Sequence, residues 1–575
     1  MRTQDSEQRA AAVTALPAGR PLTSMAERAG LLALATGVLF FCYWRQSLSA
    51  ALSSDGSGNV LQAWAMLHGN VLLHGWRVSD VSFYTTELPQ YVLIEAVRGA
   101  ASPAVVHVAA AMTYTLLVLL AALLARGRAR GRVGMARAAL TAGLMLSPQL
   151  SATGIVLLSP DHTGTAVPLL VTWLLIDSAP RFTGGLPPPV LPGDPLGGPS
   201  RVRLWLVPML AGVLFLWTMV ADTVVLLSGI IPLVVVALVR SVPGLSRNRG
   251  AVRAYELGLA GAAAAAGVAG LFAPRVIAAL GGFRESPVPE ALALGQLQHG
   301  SWVTLQAFLE LFGANVFGFS YFGAAPVIEV VFVALHLAGV LAVVCAVGLA
   351  FRRFFRPGEL MTGVFAVAVM ANAVAYMVSD QSRNLLGARE MAAVLPLGAV
   401  LAGRILGEKI AAWMPPAARR ARRGPWPAMA LATLAVLAAA DLAGLGYRAA
   451  QPAVPPANQA LATWLQAHRL RSGLASYWQA SSTTADSGLR VQVSAVTPGP
   501  DGRLVPYEWE TDDAAYNPAR HYANFVVAAG TPTDPIPAAA IATFGRPQRT
   551  YRGGGYLVMV WNTNLMPKLG RPGPS

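Results

Sequence analysis

Charged residues are scarce in this chain. They make up 12% of its 575 residues, against 54% hydrophobic residues, and the mean hydropathy is +0.51. Soluble domains carry about 25% charged residues, so the composition excludes an ordinary soluble globular protein. Several apolar stretches reach the roughly 20 residues that a bilayer-spanning helix needs. The sequence therefore predicts an α-helical integral membrane protein.

Cysteine is almost absent. The two cysteines, Cys42 and Cys345, both fall inside hydrophobic segments. Two thiols among apolar neighbours exclude a disulfide framework and a cysteine-based metal site. We expect both to be packing residues.

The hydrophobic segments predict about eleven transmembrane helices. Their approximate bounds are residues 29–45, 103–125, 138–158, 163–178, 204–220, 223–240, 254–274, 325–351, 359–379, 388–405 and 427–447. A long polar stretch precedes the first segment, and no small-residue cleavage site follows it, so we expect it to be retained as a helix.

Basic residues alternate between the predicted loops. With residues 1–28 placed in the cytoplasm, the inner loops hold 25 basic residues and the outer loops hold 7. This asymmetry is the positive-inside pattern, so the net charge of +15 gives no reason to expect a nucleic-acid partner. The predicted plan is a membrane domain at 29–447 with outer loops 46–102 and 275–324, and an extracytoplasmic domain at 448–575. The expected location is the plasma membrane.

The first outer loop contains the densest group of chemically useful side chains. Asp55 lies just past the first span, in SSDGSG, where it could serve as a base or could simply belong to a turn. Glu87 is a candidate second carboxylate or an ordinary loop residue. Trp64, Trp76 and Tyr84 could stack on a sugar, or could form an interfacial aromatic belt.

Two other outer segments carry candidate residues. Asp161 and His162, in SPDHTG, could position an acceptor or hold a divalent metal at Asp161, although Asp before a helix is also a favoured N-cap. Arg383 is the first candidate for binding a phosphate and Arg389 the second, because a guanidinium presents a fork of donors that suits phosphate. Either arginine could instead pair with Asp380 or Glu390 at the interface.

The composition changes near the end of the chain and predicts a small α/β domain. ANQALATWLQAHRL has the spacing of an amphipathic helix, and RVQVSAV, HYANFVVAA and YLVMVW have the pattern of strands. This domain shows no catalytic motif. Glu508, Asp512 and Asp513 are expected in a solvated loop.

Together these features resemble the GT-C superfamily of polyprenyl-phosphate-dependent glycosyltransferases, and in particular its members of actinobacterial type. The resemblance is carried by SSDGSGNVLQAWAMLHGN with Asp55, by SPDHTG with Asp161, and by the C-terminal outer domain. It implies a polyprenyl-phosphate-linked sugar as donor. We predict transfer to a cell-envelope glycan, lipid or protein by direct displacement at the sugar carbon, which would invert its configuration. The chain departs from the metal-dependent oligosaccharyltransferases in having Asp-His instead of Asp-x-Asp, which puts a Mg²⁺ or Mn²⁺ requirement in doubt.

Two other functions are compatible with this topology. A multi-span transporter is one, but transporters usually show internal repeats and polar groups near the membrane midplane. This sequence has no convincing repeat, and its acids lie at the outer ends of spans. The other is a non-catalytic membrane protein that binds or assembles the cell envelope.

Overall fold

The computed structural model describes residues 25–158, 162–178, 199–242, 251–286, 291–317, 327–354, 360–413, 426–553 and 555–570. Up to residue 449 the described chain is mainly helical. The helices are α1 (Met25–Ser47), α2 (Ser54–Leu67), α3 (Leu88–Arg98), α4 (Ala104–Arg126), α5 (Gly131–Met145), α6 (Ala166–Ser178), α7 (Pro199–Ala221), α8 (Ile231–Ser241), α9 (Ala251–Ala279), α10 (Leu297–Leu311), α11 (Val327–Arg353), α12 (Leu360–Val378), α13 (Val394–Trp413) and α14 (Trp426–Ala449).

The apolar helices are those of a multi-pass membrane protein. Within the described residues, five are long and apolar enough to cross a bilayer: Met25–Ser47, Ala104–Arg126, Val252–Ala279, Glu329–Arg353 and Leu360–Val378. The number rises to seven if each of two bent helix pairs is one span. Each of the eleven predicted segments overlaps a described helix, while eleven crossings stay a prediction.

The two bent pairs direct loop residues toward one region of the molecule. Gly131–Met145 and Leu150–Leu157 meet at 80°, and Leu385–Met391 and Val394–Trp413 meet at 55°. Pro148 lies in the first break, where its missing amide hydrogen prevents a continuous helix. Residues 162–165 follow the first pair, and residues 385–391 form the short member of the second, so both segments lie outside the long helices.

Two buried ion pairs connect neighbouring helices. Arg448 of α14 contacts Glu329 of α11 at 3.2 Å, and Arg240 of α8 contacts Glu256 of α9 at 3.1 Å. An unpaired charge at such a depth would be strongly destabilising, so these pairs hold neighbouring helices together. Of the two cysteines, Cys42 is partly buried, but Cys345 is exposed on its helix, so the expectation of a buried packing residue was wrong there.

The first outer segment is more regular than the sequence suggested. Residues 54–67, which the sequence predicted to lie in a loop, form the helix α2. Ser53 caps this helix, because its Oγ accepts the Gly56 amide hydrogen at 3.2 Å. Asp55 is therefore in the first turn of a helix and not in a loop.

The C-terminal part folds around a six-stranded mixed sheet. Its strands, in chain order, are β3 (Ser472–Ala475), β4 (Gln492–Pro498), β5 (Leu504–Pro506), β7 (Phe525–Ala529), β8 (Arg549–Gly553) and β9 (Tyr556–Val560). They lie in the order β5-β4-β3-β7-β9-β8, with β3 parallel to both β4 and β7. Helices α15 (Gln459–Ala467), α16 (Tyr477–Asp486) and α17 (Ile536–Phe544) complete this α/β domain, and the predicted helix and three strands are confirmed.

The C-terminal α/β domain is called the outer domain after its predicted location and comprises the described residues from Gln459 onward. A second, three-stranded sheet joins it to the helical part of the chain. It pairs β1 (Trp76–Val78) with β2 (Arg284–Glu285) on one side and β6 (Thr511–Asp512) on the other. Arg77 contacts Glu508 at 3.0 Å and Asp513 at 3.5 Å. The prediction of a solvated loop was wrong for Glu508, which pairs with Arg77, and for Asp512, which belongs to β6 and accepts the Ala514 amide hydrogen. Asp513 is exposed, as predicted, although it also lies near Arg77.

Candidate active site

Asp55 lies where three remote parts of the chain meet. One carboxylate oxygen, Oδ2, is 3.0 Å from Nη1 of Arg389, in the helical turn Leu385–Met391. The other, Oδ1, accepts a hydrogen bond from the hydroxyl of Tyr477, the first residue of α16. The Asp55 side chain is 14% exposed. Its negative charge is further stabilised by the N-terminal end of α2.

Tyr477 connects Asp55 to a second carboxylate. Its hydroxyl oxygen is 2.9 Å from Oε2 of Glu510, which is almost fully buried. Burial, followed by the charges of Glu510 and Asp55, raises the pKa of Tyr477 well above its usual value. The phenol therefore stays protonated and acts as a hydrogen-bond donor. Since it has one hydrogen, the two carboxylates compete for it.

A glycine in α2 makes this arrangement possible. Gly58 lies one turn after Asp55, on the same side of the helix, and faces Glu510. A Cβ at position 58 would lie 2.3 Å from Oε2 and 3.1 Å from Cδ of Glu510. The outer domain can therefore approach α2 closely only because residue 58 has no side chain.

A cleft of about 550 Å³ opens above Asp55 and Arg389. Its other walls belong to the outer domain, at the carboxyl ends of the parallel strands β3, β4 and β7. Ligands of parallel sheets bind at this edge, so the cleft combines a favoured binding position with a carboxylate at its base. A group bound there would contact both domains.

His162 forms a second charged cluster beside the first. Its Nδ1 is 2.8 Å from Asp222, and its Nε2 is 2.9 Å from Glu390, the neighbour of Arg389. Burial lowers the pKa of His162, but the two carboxylates outweigh this effect and raise the pKa well above its usual value. Burial conversely raises the pKa of Asp222, while His162, Thr165 and the Val224 amide more than compensate and lower it. The imidazolium thus fixes the segment that carries Arg389.

The residues around His162 do not fit a metal site. Both ring nitrogens of His162 face carboxylates, so neither is available to a cation. In the part of the chain that the structure describes, no group of three or more His, Cys, Asp or Glu residues has the arrangement of a metal site. Asp161, the predicted metal ligand, lies outside the described residues.

The other predicted carboxylate and phosphate ligand lie away from Asp55. Glu87 is buried and accepts a hydrogen bond from the Thr86 hydroxyl. It packs below the turn after His162, where a Cβ on Gly164 would be 2.2 Å from its Oε1. Arg383 is 62% exposed and contacts Asp380 at 2.5 Å, which is the alternative that the sequence offered.

The predicted aromatic residues are divided between packing and a second cavity. Trp64 and Trp76 line a cavity of about 340 Å³ between α2 and the outer domain, with Glu510 on its far side. Tyr84 packs on Phe283, with ring centroids 5.2 Å apart, and donates a hydrogen bond to the Val71 carbonyl. None of the three lines the cleft above Asp55.

Tyr477 and Glu510 are the site residues that sequence reasoning missed. Both come from the outer domain, in which the sequence shows no catalytic motif. Tyr477 follows the end of β3 and begins α16, a strand-to-helix junction at the edge where parallel sheets bind ligands. That junction is the sequence feature that points to Tyr477 as a site residue. It does not indicate the contact between Tyr477 and Asp55.

We expect Gly58→Ala to separate the outer domain from α2. The new methyl group would displace Glu510 and break its hydrogen bond with Tyr477, at a cost of about 1–3 kcal/mol. Thermal unfolding of the protein in lipid nanodiscs measures the effect. Gly56→Ala is the matched control, since its Cβ would make ordinary contact with Val106 at 3.4 Å. Equal stability of the two variants would contradict the predicted clash.

Glu285 is expected to make stability depend on pH. Burial and the nearby carboxylates of Asp80 and Asp222 raise its pKa from 4.5 to about 7. Because the folded state holds this proton more tightly than the unfolded chain, the stabilisation is complete below pH 4.5 and is lost as the pH rises through about 7. Glu285→Gln mimics the neutral form, so it should stabilise the protein at about pH 8 by up to about 3 kcal/mol. Unfolding at acidic pH should show little difference, and a gain independent of pH would refute this assignment.

Comparison with known proteins gives distant structural matches only. No protein-family model and no curated protein matches the sequence. The fold is similar to that of the Archaeoglobus fulgidus oligosaccharyltransferase in two crystal structures, one tethered to an acceptor peptide containing the NVT sequon and one in the apo form. The first match has 14% identity, covers 88% of this chain and 69% of the other, and has a TM-score of 0.49. The second has 14% identity, 87% and 69% coverage, and a TM-score of 0.48. A likeness this distant carries no functional conclusion, so function is inferred from the residues around Asp55.

Proposed function

We propose that this protein is a membrane glycosyltransferase that moves a sugar from a polyprenyl-phosphate donor to an acceptor at the extracytoplasmic face of the plasma membrane. The observation that carries the proposal is the position of Asp55. It lies at the base of a cleft between membrane helices and an outer α/β domain, held by Arg389 and Tyr477. This arrangement offers a base, a cation and a cleft of ligand size together.

The reaction requires one group to take a proton and another to stabilise a phosphate. In the proposed step an acceptor hydroxyl oxygen attacks the anomeric carbon, and its proton passes to Asp55. The bond between that carbon and the phosphate oxygen breaks, and the electron pair leaves with the phosphate. Attack opposite to the leaving group inverts the sugar configuration.

Arg389 is the better candidate for the phosphate. It lines the cleft beside Asp55, whereas Arg383 lies outside the cleft lining and pairs with Asp380. The contact between His162 and Glu390 holds the neighbouring residue in place. His162 therefore acts as a positioning residue in this proposal, instead of a direct partner of the acceptor.

A divalent cation, Mg²⁺ or Mn²⁺, remains a proposal attached to Asp161 alone. No step is assigned to it, because the described residues around His162 do not fit a metal. Full transfer in the presence of EDTA would remove the cation from the proposal.

Asp55→Asn should abolish most sugar transfer. The amide keeps the shape of the side chain but cannot accept the proton, and general bases contribute about 10²–10⁴-fold to rate. The measurement is transfer from a panel of radiolabelled polyprenyl-phosphate sugars to a crude cell-envelope acceptor, with protein in lipid nanodiscs. Asp501→Asn is the matched control, because Asp501 is an exposed turn residue that is not part of the cleft lining. Equal transfer rates for Asp55→Asn and wild type would exclude Asp55 as the base. If the wild-type protein transferred sugar from none of the donors, the enzyme assignment would be contradicted, and transport assays would be the next step.

The two arginines give a second, independent comparison. Arg389→Lys should slow transfer by about tenfold or more, because an ammonium cannot replace a forked guanidinium that holds both a carboxylate and a phosphate. Arg383→Lys should leave the rate within about twofold, since exposed ion pairs contribute little. The reverse order of effects would move the phosphate site to Arg383.

A further inference from the structure

We infer that the acceptor is a carbohydrate chain, and that one of its sugar rings stacks on Trp478 in the cleft above Asp55. This inference rests on the proposed function for its meaning, but the binding site itself is defined by geometry. It narrows the acceptor class from glycan, lipid or protein to glycan.

Trp478 is an exposed aromatic ring on a fixed backbone. It follows Tyr477, the residue that contacts Asp55, and is 64% exposed. Its carbonyl oxygen accepts hydrogen bonds from Ser54 of α2 at 3.0 Å and from Asn458 at 3.2 Å. The backbone is therefore tied to both domains, while the ring is left open to a ligand.

Trp478 does not stand alone in the cleft. Tyr507 and Trp509 line the same space, each partly exposed. A single exposed aromatic residue needs no explanation, but several in one concave site indicate binding. An aromatic ring suits the face of a sugar, where the C–H bonds point outward.

The rest of the cleft supplies hydrogen-bonding groups. Gln479, Thr497 and Asp534 line it, and they contribute an amide, a hydroxyl and a carboxylate. These are the groups that donate to and accept from sugar hydroxyls. The volume of about 550 Å³ lies within the roughly 300–1,000 Å³ of typical ligand pockets.

The topology of the sheet argues against an extended peptide as the acceptor. Such peptides bind by adding a strand to an open sheet edge. The cleft lies at the ends of β3, β4 and β7, and each of these strands already has a neighbour on both sides. The polar lining likewise disfavours a purely aliphatic chain, because buried polar groups without partners are costly.

The test is direct binding to the full-length protein in lipid nanodiscs, which avoids detergents with sugar headgroups. The probes are linear trisaccharides of glucose, mannose, galactose and N-acetylglucosamine, with triserine as the peptide probe, titrated by saturation-transfer-difference NMR. Trp478→Ala should weaken trisaccharide binding by about tenfold or more, and Trp478→Phe should retain most of it. Trp464→Ala is the matched control, because Trp464 stacks on His468 outside the cleft and should have no effect.

The outcomes separate this inference from the proposed function. Binding of a trisaccharide by the wild-type protein, without transfer from any donor, would overturn the enzyme assignment while supporting the glycan site. Failure of all four trisaccharides to bind would overturn the inference. So would equal binding by Trp478→Ala and wild type, or binding of triserine that depends on Trp478.

Discussion

The contact between Asp55 and Tyr477 is the constraint on which the site depends. It joins residues 422 positions apart, and the contact between Asp55 and Arg389 joins residues 334 positions apart. A partly buried carboxylate needs such partners to keep its charge oriented while it stays accessible to a ligand. The outer domain is consequently a wall of the site, and it contacts α2 at Ser54, Asp55 and Gly58.

The charged residues around the site form groups in which a cation lies between two carboxylates. The imidazolium of His162 lies between Asp222 and Glu390, and Arg77 lies between Glu508 and Asp513. Carboxylates this close would repel one another without cations between them. These groups also hold segments of the chain in place. The group around His162 fixes the turn that carries Arg389, and the group around Arg77 fixes the outer domain against β1. Glu285, with its raised pKa, marks where this compensation is incomplete.

Much of the helical framework could be predicted from the sequence, because hydrophobic segments of sufficient length specify it directly. Asp55 could also be singled out, since an acid just past a span is unusual. Its place inside α2 was missed, although Ser53 before SDGSG is a helix-start signal. The roles of Tyr477 and Glu510 could not be predicted, because they depend on how the outer domain docks on α2. The docking itself depends on Gly58, whose importance lies in an absent side chain.

The most direct test of this account is an experimental structure of the protein in lipid nanodiscs with a polyprenyl-phosphate bound. The account predicts that the phosphate lies within hydrogen-bonding distance of Arg389, with the sugar position between Asp55 and the aromatic wall of the outer domain. A phosphate bound at Arg383, or a lipid that enters the cavity lined by Trp64 and Trp76 instead, would contradict it.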